Sequence, residues 1–308
     1  MGVDTISDNQ AVIQTHDLTK YYGPVRGLER LNLEVRRGEV FGFLGPNGAG
    51  KTTTIRLLLD FIRPTGGTAS VLGLDPRRHS REVRRRVDYL PGDMVLYDKM
   101  TGSQLLSYLA HLRGGVDWEF VGELVERLQC NLSQPIRSLS RGNRQKIGLV
   151  QAFMKRPEII IMDEPTSGLD PLIQQEFYGM VEEVRADGRT VFMSSHNMPE
   201  VERVCDRVGI IRQGELITVE DVHALKERAL HQLEFHFAAP VPEEAFSTLP
   251  GVRDVTVEDA VLRCTVIGKP DALIKAVARF EVLKLISHEP NLEDIFLSYY
   301  SEGGEHAA

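Results

Sequence analysis

A short glycine-rich stretch has the composition of a phosphate-binding loop. It reads Gly45, Pro46, Asn47, Gly48, Ala49, Gly50, Lys51 and Thr52, with Thr53 directly after it. The pattern matches the Walker A motif in full, in which glycines let successive backbone N–H groups turn toward phosphate oxygens. The lysine of such a loop contacts the β- and γ-phosphates, and the hydroxyl after it binds Mg²⁺. The stretch therefore predicts a triphosphate site with a magnesium ion.

A glycine-rich turn that contains a lysine by chance is the alternative explanation. An apolar strand, 41–44, comes directly before the loop, and a helical run comes directly after it. Walker A needs both, because the strand delivers the loop and the helix adds its positive N-terminal end. We therefore favour the phosphate site.

Two consecutive carboxylates, Asp163 and Glu164, follow the apolar run 159–162. Ligands of open α/β sheets bind at the carboxyl ends of the strands. At such an end Asp163 would hold Mg²⁺ through water, and Glu164 would polarise the attacking water as general base. A solvated strand end is the alternative. The complete Walker A loop upstream makes the catalytic role the better explanation.

The elements around these motifs alternate between strand and helix up to about Lys226. Apolar runs at 40–44 and 159–162 read as strands, and 53–61 and 172–185 read as the helices that follow them. This alternation favours a mostly parallel sheet covered by helices. We assign residues 1–228 to this domain.

Residues 229–308 form a second, smaller domain of different texture. Strands are predicted at 232–237, 252–257, 260–267 and 282–288, with helices at 243–249 and 271–279. The order is β-α-β-β-α-β, which is that of a ferredoxin-like fold. An amphipathic segment at 292–300 is expected to dock on the small domain or on a neighbour.

Composition limits the classes of function. The chain has 308 residues, of which 42% are hydrophobic, enough for a substantial core. Its formal charge of −8 lacks the basic field of a nonspecific nucleic-acid binder, so no nucleic-acid partner is expected. The three cysteines lack metal-ligand spacing. The N-terminus has no secretion pattern and no apolar run approaches the ~20 residues of a membrane span, so a membrane role would come through a partner.

Several further segments carry a resemblance to a known family. Residues 139–146 resemble the signature of ABC ATPases, with Arg141 and Asn143 departing from its usual form. Residues 167–170 resemble the D-loop, 194–196 the switch-histidine region, and Tyr22 the aromatic residue that stacks on adenine. The resemblance covers about residues 13–227. It implies an α/β P-loop NTPase fold of the ABC type with a helical subdomain, followed here by the small α+β domain.

The resemblance also implies roles for individual residues. Two copies of the chain would pair head to tail, and each ATP would be held by Walker A of one copy and the signature of the other. His196 would hydrogen-bond the γ-phosphate and the attacking water, and Asp170 would connect the two sites. The signature residues toward the partner's ATP are Ser140, Arg141, Gly142 and Asn143. Alternatives stay open: Tyr22 as packing, His196 as a core residue or helix cap, and Asp170 as a helix N-cap.

One position departs from the family in a way that affects the metal site. The family has a glutamine that reaches Mg²⁺ and faces the membrane partner, and the resemblance places Gly92 there. Asp93 or a water molecule would have to take over that contact.

Other segments are similar to the ATPases of two-component exporters of the antibiotic-resistance type. They are 89–91, 96–102, 140–143 and 291–296. This resemblance implies a separate ABC-2 type permease, work at the cytoplasmic face of the membrane, and export of drugs or antibiotics, lipids or polysaccharides. The small domain would be regulatory, would extend the dimer interface, or would be only a stabilising appendage. A soluble ABC ATPase acting on DNA or ribosomes is the alternative, as is a nucleotide binder without turnover.

A run of arginines lies between the two nucleotide motifs. The arginines at 77, 81, 84 and 85 could share a helical face. A solvated helix face is one explanation, and contact with the membrane partner or anionic lipid is the other.

Overall fold

A computed structural model describes residues 10–228, 231–266 and 269–288. The chain separates into two compact units, the first ending at Glu220 and the second beginning at Asp221. The sequence pattern predicted this boundary after residue 228. The structure instead groups the helix Val222–Arg228 with the second unit. In sequence this helix looks like the helices before it, and composition alone does not show the change of unit.

The elements of the first unit follow one another in the alternating order that the sequence predicts. They are β1 (Ala11–Tyr22), β2 (Val25–Arg36), β3 (Val40–Leu44), α1 (Lys51–Leu58), β4 (Gly66–Val71), α2 (Ser80–Arg86), β5 (Val87–Leu90), α3 (Gly102–Leu112), α4 (Trp118–Arg127), α5 (Arg141–Phe153), β6 (Ile159–Asp163), α6 (Pro171–Ala186), β7 (Thr190–Ser195), α7 (Met198–Val204), β8 (Arg207–Arg212) and β9 (Glu215–Asp221). The helix predicted at 53–61 begins earlier, at Lys51, and ends earlier, at Leu58.

A mainly parallel sheet forms the centre of this unit. In the part of the chain that the structure describes, its strand order is β5-β6-β7-β3-β8-β9, and the neighbours from β5 to β8 pair in parallel. β3, β6 and β7 are buried along their whole length, as their near-continuous apolar composition predicts. A second, antiparallel sheet has the strand order β2-β1-β4. Its buried side chains belong to the same hydrophobic core as those of the central sheet.

The strand order places three motifs at one edge of the central sheet. β7 lies between β3 and β6, with Leu44 opposite Ser195 and Asp163 opposite Ser194. The Walker A loop, the two carboxylates and the switch histidine follow these three strands. Because the strands are parallel, their carboxyl ends meet, and the motifs are brought together there.

The second unit has the predicted β-α-β-β-α-β order. After α8 (Val222–Arg228) it contains β10 (His231–Phe237), α9 (Glu244–Ser247), β11 (Val252–Glu258), β12 (Val261–Val266), α10 (Asp271–Val277) and β13 (Val282–His288). Over the described ranges the sheet order is β11-β12-β10-β13, and each neighbouring pair is antiparallel. This is the ferredoxin-like arrangement, around a core that includes Phe235, Phe237 and Phe246. The predicted segment at 292–300 lies outside the described residues.

The arginine run forms only part of the helical face that the sequence suggested, because Arg81, Arg84 and Arg85 lie in α2 and Arg77 does not. α2 begins at Ser80, so Arg77 precedes the helix, and the prediction for that residue is wrong. Asp75 accepts from the backbone N–H of Arg77 at 2.9 Å, which holds that residue in a turn. Arg84 is tied to the carbonyl of Leu59 at 3.2 Å. None of the helices that the structure describes has the length and apolarity to cross a membrane.

Candidate active site

A cavity of about 470 Å³ opens where the three motifs meet. Its walls include the loop from Pro46 to Thr53, together with Asp163, Glu164 and His196. Both positively and negatively charged side chains reach it. The cavity therefore combines anion-binding backbone with groups that can hold a metal and move a proton.

The backbone of the loop needs glycine at particular positions. Gly48 and Gly50 have φ of 81° and 110°, in the left-handed region that other residues avoid. A Cβ on Gly50 would also come within 2.8 Å of the carbonyl oxygen of Gly27. Gly50 precedes α1 and offers no capping side chain, so N–H groups of the first turn are left for an anion.

Lys51 places its ammonium group inside the loop. Its side chain is buried, and Nζ donates to the carbonyl oxygens of Gly45 at 2.6 Å and Pro46 at 3.2 Å. Nζ also lies 3.2 Å from Oε1 of Glu164. The cation is thus held by the loop in a position where a terminal phosphate could replace the carbonyl contacts.

Asp163 and Thr52 form a pair of oxygen ligands. Thr52 Oγ1 donates to Asp163 Oδ2 at 2.7 Å, and Ser194 Oγ donates to the other carboxylate oxygen. Hydroxyl and carboxylate oxygens suit a hard cation such as Mg²⁺, which usually takes one or two protein ligands beside phosphates and water. The donor set fits magnesium.

Glu164 is held in an unusual backbone conformation. Its φ is 52°, in the left-handed region, which costs a residue other than glycine about 1–3 kcal/mol. Its N–H donates to the carbonyl of Ser194 at 3.1 Å, which ties this conformation to β7. Oε2 lies 2.6 Å from Nδ1 of His196. The strain therefore aims one carboxylate between the ammonium of Lys51 and the imidazole of His196.

The signature segment begins α5. Ser140 caps this helix by accepting from the N–H of Asn143 at 3.2 Å, and Gly142 lies so close to the D-loop that a Cβ would come within 2.6 Å of the carbonyl oxygen of Gly168. Asn143 uses its side-chain amide to bind the backbone of Asn131. Ser140 is exposed to solvent at the helix N-terminus.

Arg141 takes a position that the sequence did not predict. It lines the same cavity as the Walker A loop of its own chain, and Nη2 donates to Ser167 Oγ at 2.9 Å. The arginine that departs from the usual signature thus joins signature and D-loop within one copy.

Tyr22 and Asp170 lie further from the chemistry. Tyr22 does not line the cavity, but its ring packs against Gly27, which does, and Lys20 Nζ lies 5.1 Å from the ring centre. Asp170 caps α6 by accepting from the N–H of Ile173 at 3.1 Å. The capping role that the sequence allowed for Asp170 is thus present.

Gly92 lies directly against Asp163. A Cβ on Gly92 would be 3.2 Å from the carbonyl oxygen of Asp163 and 3.6 Å from its Oδ2, and Asp93 lines the cavity next to it. Burial raises the pKa of nearby Tyr89 to about 12, and the charge of Asp163 adds to this effect. The tyrosine hydroxyl therefore stays neutral.

Sequence reasoning missed two hydroxyl groups that support the site. Ser194 holds Asp163, and Ser195 accepts from the N–H of Asn197 at 2.9 Å, behind His196. The pair of serines at the end of an apolar strand was a signal. Their roles depend on which strand lies beside β7, and the sequence does not reveal that neighbour.

The fold and the site together define a class of protein. A glycine-rich loop follows one strand of a parallel sheet, an acidic pair follows another, and a histidine follows the strand between them. This is a P-loop ATPase whose helical segment, α3 to α5, carries a signature-like helix start. Similarity to known proteins agrees with this class and narrows it to one family.

The ABC transporter family model matches residues 28–167. The bacitracin transport ATP-binding protein BcrA of Bacillus licheniformis is 33% identical over 304 residues, which cover 95% of this chain and 98% of that protein. The linearmycin resistance ATP-binding protein LnrL of Bacillus subtilis (strain 168) is 30% identical over 303 residues, covering 93% and 97%. A solved ATP-binding subunit of an ABC transporter is 30% identical with a TM-score of 0.65, over 70% of this chain and 92% of that one.

The chain belongs to the ATP-binding proteins of ABC transporters. It binds and hydrolyses ATP, as the members of this family do. The resemblance found in the sequence and the fold class that it implied are thereby confirmed, and nothing favours a soluble ATPase acting on DNA or ribosomes.

Proposed function

We propose that this chain is the ATP-hydrolysing subunit of an exporter whose membrane-spanning part is a separate ABC-2 type permease. Relatives that match almost its full length include a bacitracin transport protein and a linearmycin resistance protein. The cargo class that this supports is a drug or antibiotic, with lipids and polysaccharides as further candidates. The chain would work at the cytoplasmic face of the membrane, bound to the permease.

The near full-length match to the two drug-transport proteins carries the exporter proposal, and the contact between Glu164 and His196 carries its hydrolytic part. A strained carboxylate lies 2.6 Å from the imidazole and 3.2 Å from the ammonium of Lys51. Glu164 would act as general base toward the attacking water, with His196 orienting that water and the γ-phosphate. Thr52 and Asp163 would hold Mg²⁺, which supplies charge neutralisation on the phosphates.

A second copy of the chain would complete each site. Ser140 is exposed and stands at the N-terminus of α5, which suits a γ-phosphate held by another copy. The first turn of α5 contains Arg141, Gly142 and Asn143. Asp170 is the N-cap of the next helix, α6. The ATP then lies between two copies in head-to-tail orientation.

Exposed apolar side chains around the segment 89–97 support the permease as partner. Phe61 and Tyr97 are 50% and 56% exposed, and Val95 is almost fully exposed. Phe61 contacts Tyr89 with ring centres 5.7 Å apart, and Tyr89 begins the segment that leads to Gly92 and the cavity. A partner that covers Phe61 would lie close to the nucleotide, because Tyr89 lines the cavity. Exposed apolar groups of this kind mark interaction sites.

A pull-down from native membranes tests the proposal. Tagged chain should recover a multi-span membrane protein, and adding that protein should change the ATPase rate. A Tyr97→Asp variant should lose the partner while it keeps basal ATP hydrolysis, because Tyr97 does not line the cavity. Recovery of ribosomes or DNA in place of a membrane protein would contradict the proposal.

A further inference from the structure

A buried carboxylate lies behind the switch histidine. Glu200 belongs to α7 and is 1% exposed, yet it does not line the nucleotide cavity. Glutamate is almost never fully buried unless it is paired. Its partner is a hydroxyl, because Ser195 Oγ donates to Glu200 Oε2 at 2.6 Å. The pair joins the last residue of β7 to the helix that follows the histidine.

Ser195 makes further contacts that determine the backbone around His196. Its Oγ accepts from the N–H of Asn197 at 2.9 Å, so one hydroxyl links the residues on both sides of the histidine. Its carbonyl oxygen accepts from the N–H of Gly45 at 3.2 Å, at the start of the Walker A loop. The backbone of His196 is therefore tied to the phosphate loop on one side and to Glu200 on the other.

The imidazole itself has little other support. Its side chain is 58% exposed and is held at Nδ1 by Glu164. Its position must then come from its backbone. A misplacement of about 1 Å at a reacting group can lower a rate by about 10²-fold.

We propose that Glu200 is a positioning residue for ATP hydrolysis, which acts through Ser195 to keep the imidazole of His196 within hydrogen-bond reach of Glu164. The inference rests on the catalytic roles proposed for His196 and Glu164. It adds a residue outside the cavity to the machinery of the site.

A purely structural role explains the burial less well. Burial raises the pKa of Glu200 to about 7, which means that the ionised carboxylate is disfavoured where it lies. An apolar side chain of similar size would fill the same space without this cost. A carboxyl group that accepts from Ser195 is needed for the link itself.

Turnover and nucleotide binding of four variants test the inference. Ser195→Ala and Glu200→Ala should each lower kcat by about 10- to 100-fold, while the affinity for a non-hydrolysable ATP analogue changes by less than about threefold. Glu200→Gln should keep most of the turnover, because its amide oxygen accepts the same hydrogen bond. The double variant Ser195→Ala/Glu200→Ala should be no slower than the slower single variant, since both remove one link.

The outcomes separate this inference from the proposed function. If His196→Ala loses turnover while Glu200→Ala and Ser195→Ala keep it, the positioning role is wrong and the role of His196 stands. If His196→Ala turns over normally, both fail. Ser195→Ala removes a single hydroxyl and keeps the test valid should Glu200→Ala not fold. Glu182→Ala, an exposed glutamate on α6, is the matched control and should leave kcat unchanged.

Discussion

The backbone conformation of Glu164 places its carboxylate between two different side chains. With φ of 52° its carboxylate reaches both Lys51 and His196, and Asp163 directly before it turns to Thr52. Two adjacent carboxylates thus meet different partners, which suits the separate roles proposed for them, one toward a proton and one toward a metal. At this scale the predictions concern single charges.

Glu164→Gln should abolish most hydrolysis and retain ATP binding. The amide keeps the shape of the side chain but cannot accept the proton of the attacking water, so kcat should fall by about 10²- to 10⁴-fold. Steady-state ATPase assays and equilibrium nucleotide binding measure the two effects. Glu182→Gln makes the same change on an exposed helix face and should have wild-type turnover. Normal turnover of Glu164→Gln would remove Glu164 from the role of base.

Glu200 should make stability depend on pH. Burial is the main cause that raises its pKa from 4.5 to about 7. Hydrogen bonds from Ser195 and Thr166 oppose the shift, the charge of Glu164 adds to it, and His196 lowers it. Its stabilising contribution is complete below about pH 4.5 and is lost as pH rises toward 7, a change of at most ~3 kcal/mol. Relative to wild type, Glu200→Gln should gain stability over that interval. Urea unfolding at steps from about pH 5 to about pH 8 measures the difference, and a constant difference would contradict the raised pKa.

At the scale of elements, the loop and its helix act as one anion-binding unit. Gly50 joins them with a φ of 110° and lies against Gly27. α1 then begins without a side-chain cap, and the N–H groups that a cap would satisfy face the cavity. The element is therefore built for a ligand at some cost to its own stability.

Gly50→Ala should damage this unit. The new Cβ would lie 2.8 Å from the carbonyl oxygen of Gly27 and would be strained at positive φ. We expect a loss of about 1–3 kcal/mol in stability and at least about tenfold weaker ATP binding. Gly122→Ala is the matched control, since nothing lies within 4 Å of its Cβ in α4. That change should stabilise by about 0.5–1 kcal/mol. Equal behaviour of the two variants in thermal unfolding would refute the argument.

At the scale of the whole molecule, one chain would present half of each of two sites in the proposed head-to-tail dimer. The Walker A cavity is formed by residues of one copy, whereas Ser140 caps α5 at an exposed surface. Arg141 links the signature to the cavity of the same copy, since it lines that cavity and donates to Ser167. This link within a copy comes from an arginine where the family usually has glycine.

Ser140→Arg should block ATP-dependent dimer formation. A long cation at the helix start would clash with the second copy, while the cavity of its own chain keeps its nucleotide contacts. In the Glu164→Gln background, sedimentation with ATP should show a dimer that the added Ser140→Arg change abolishes, with monomer binding altered by less than about threefold. Ser103→Arg, on exposed α3, is the control. A dimer that survives Ser140→Arg would count against the head-to-tail arrangement.

The sequence by itself determined the phosphate loop, the acidic pair, the order of motifs and the ferredoxin-like order of the second unit. These features depend on residue types at short spacing and on local periodicity, both of which are present in the chain without a fold. The arginine face was less well predicted, because a helix start is decided by a few competing turn contacts.

Only the tertiary structure decided which groups touch. The place of β7 between β3 and β6 brings His196 to Glu164 and Ser194 to Asp163, over sequence distances that no local pattern encodes. The same packing buries Glu200 against Ser195 and brings Arg141 to Ser167. Strand order is selected by the burial of whole apolar faces, so contacts between distant residues follow from the complete core.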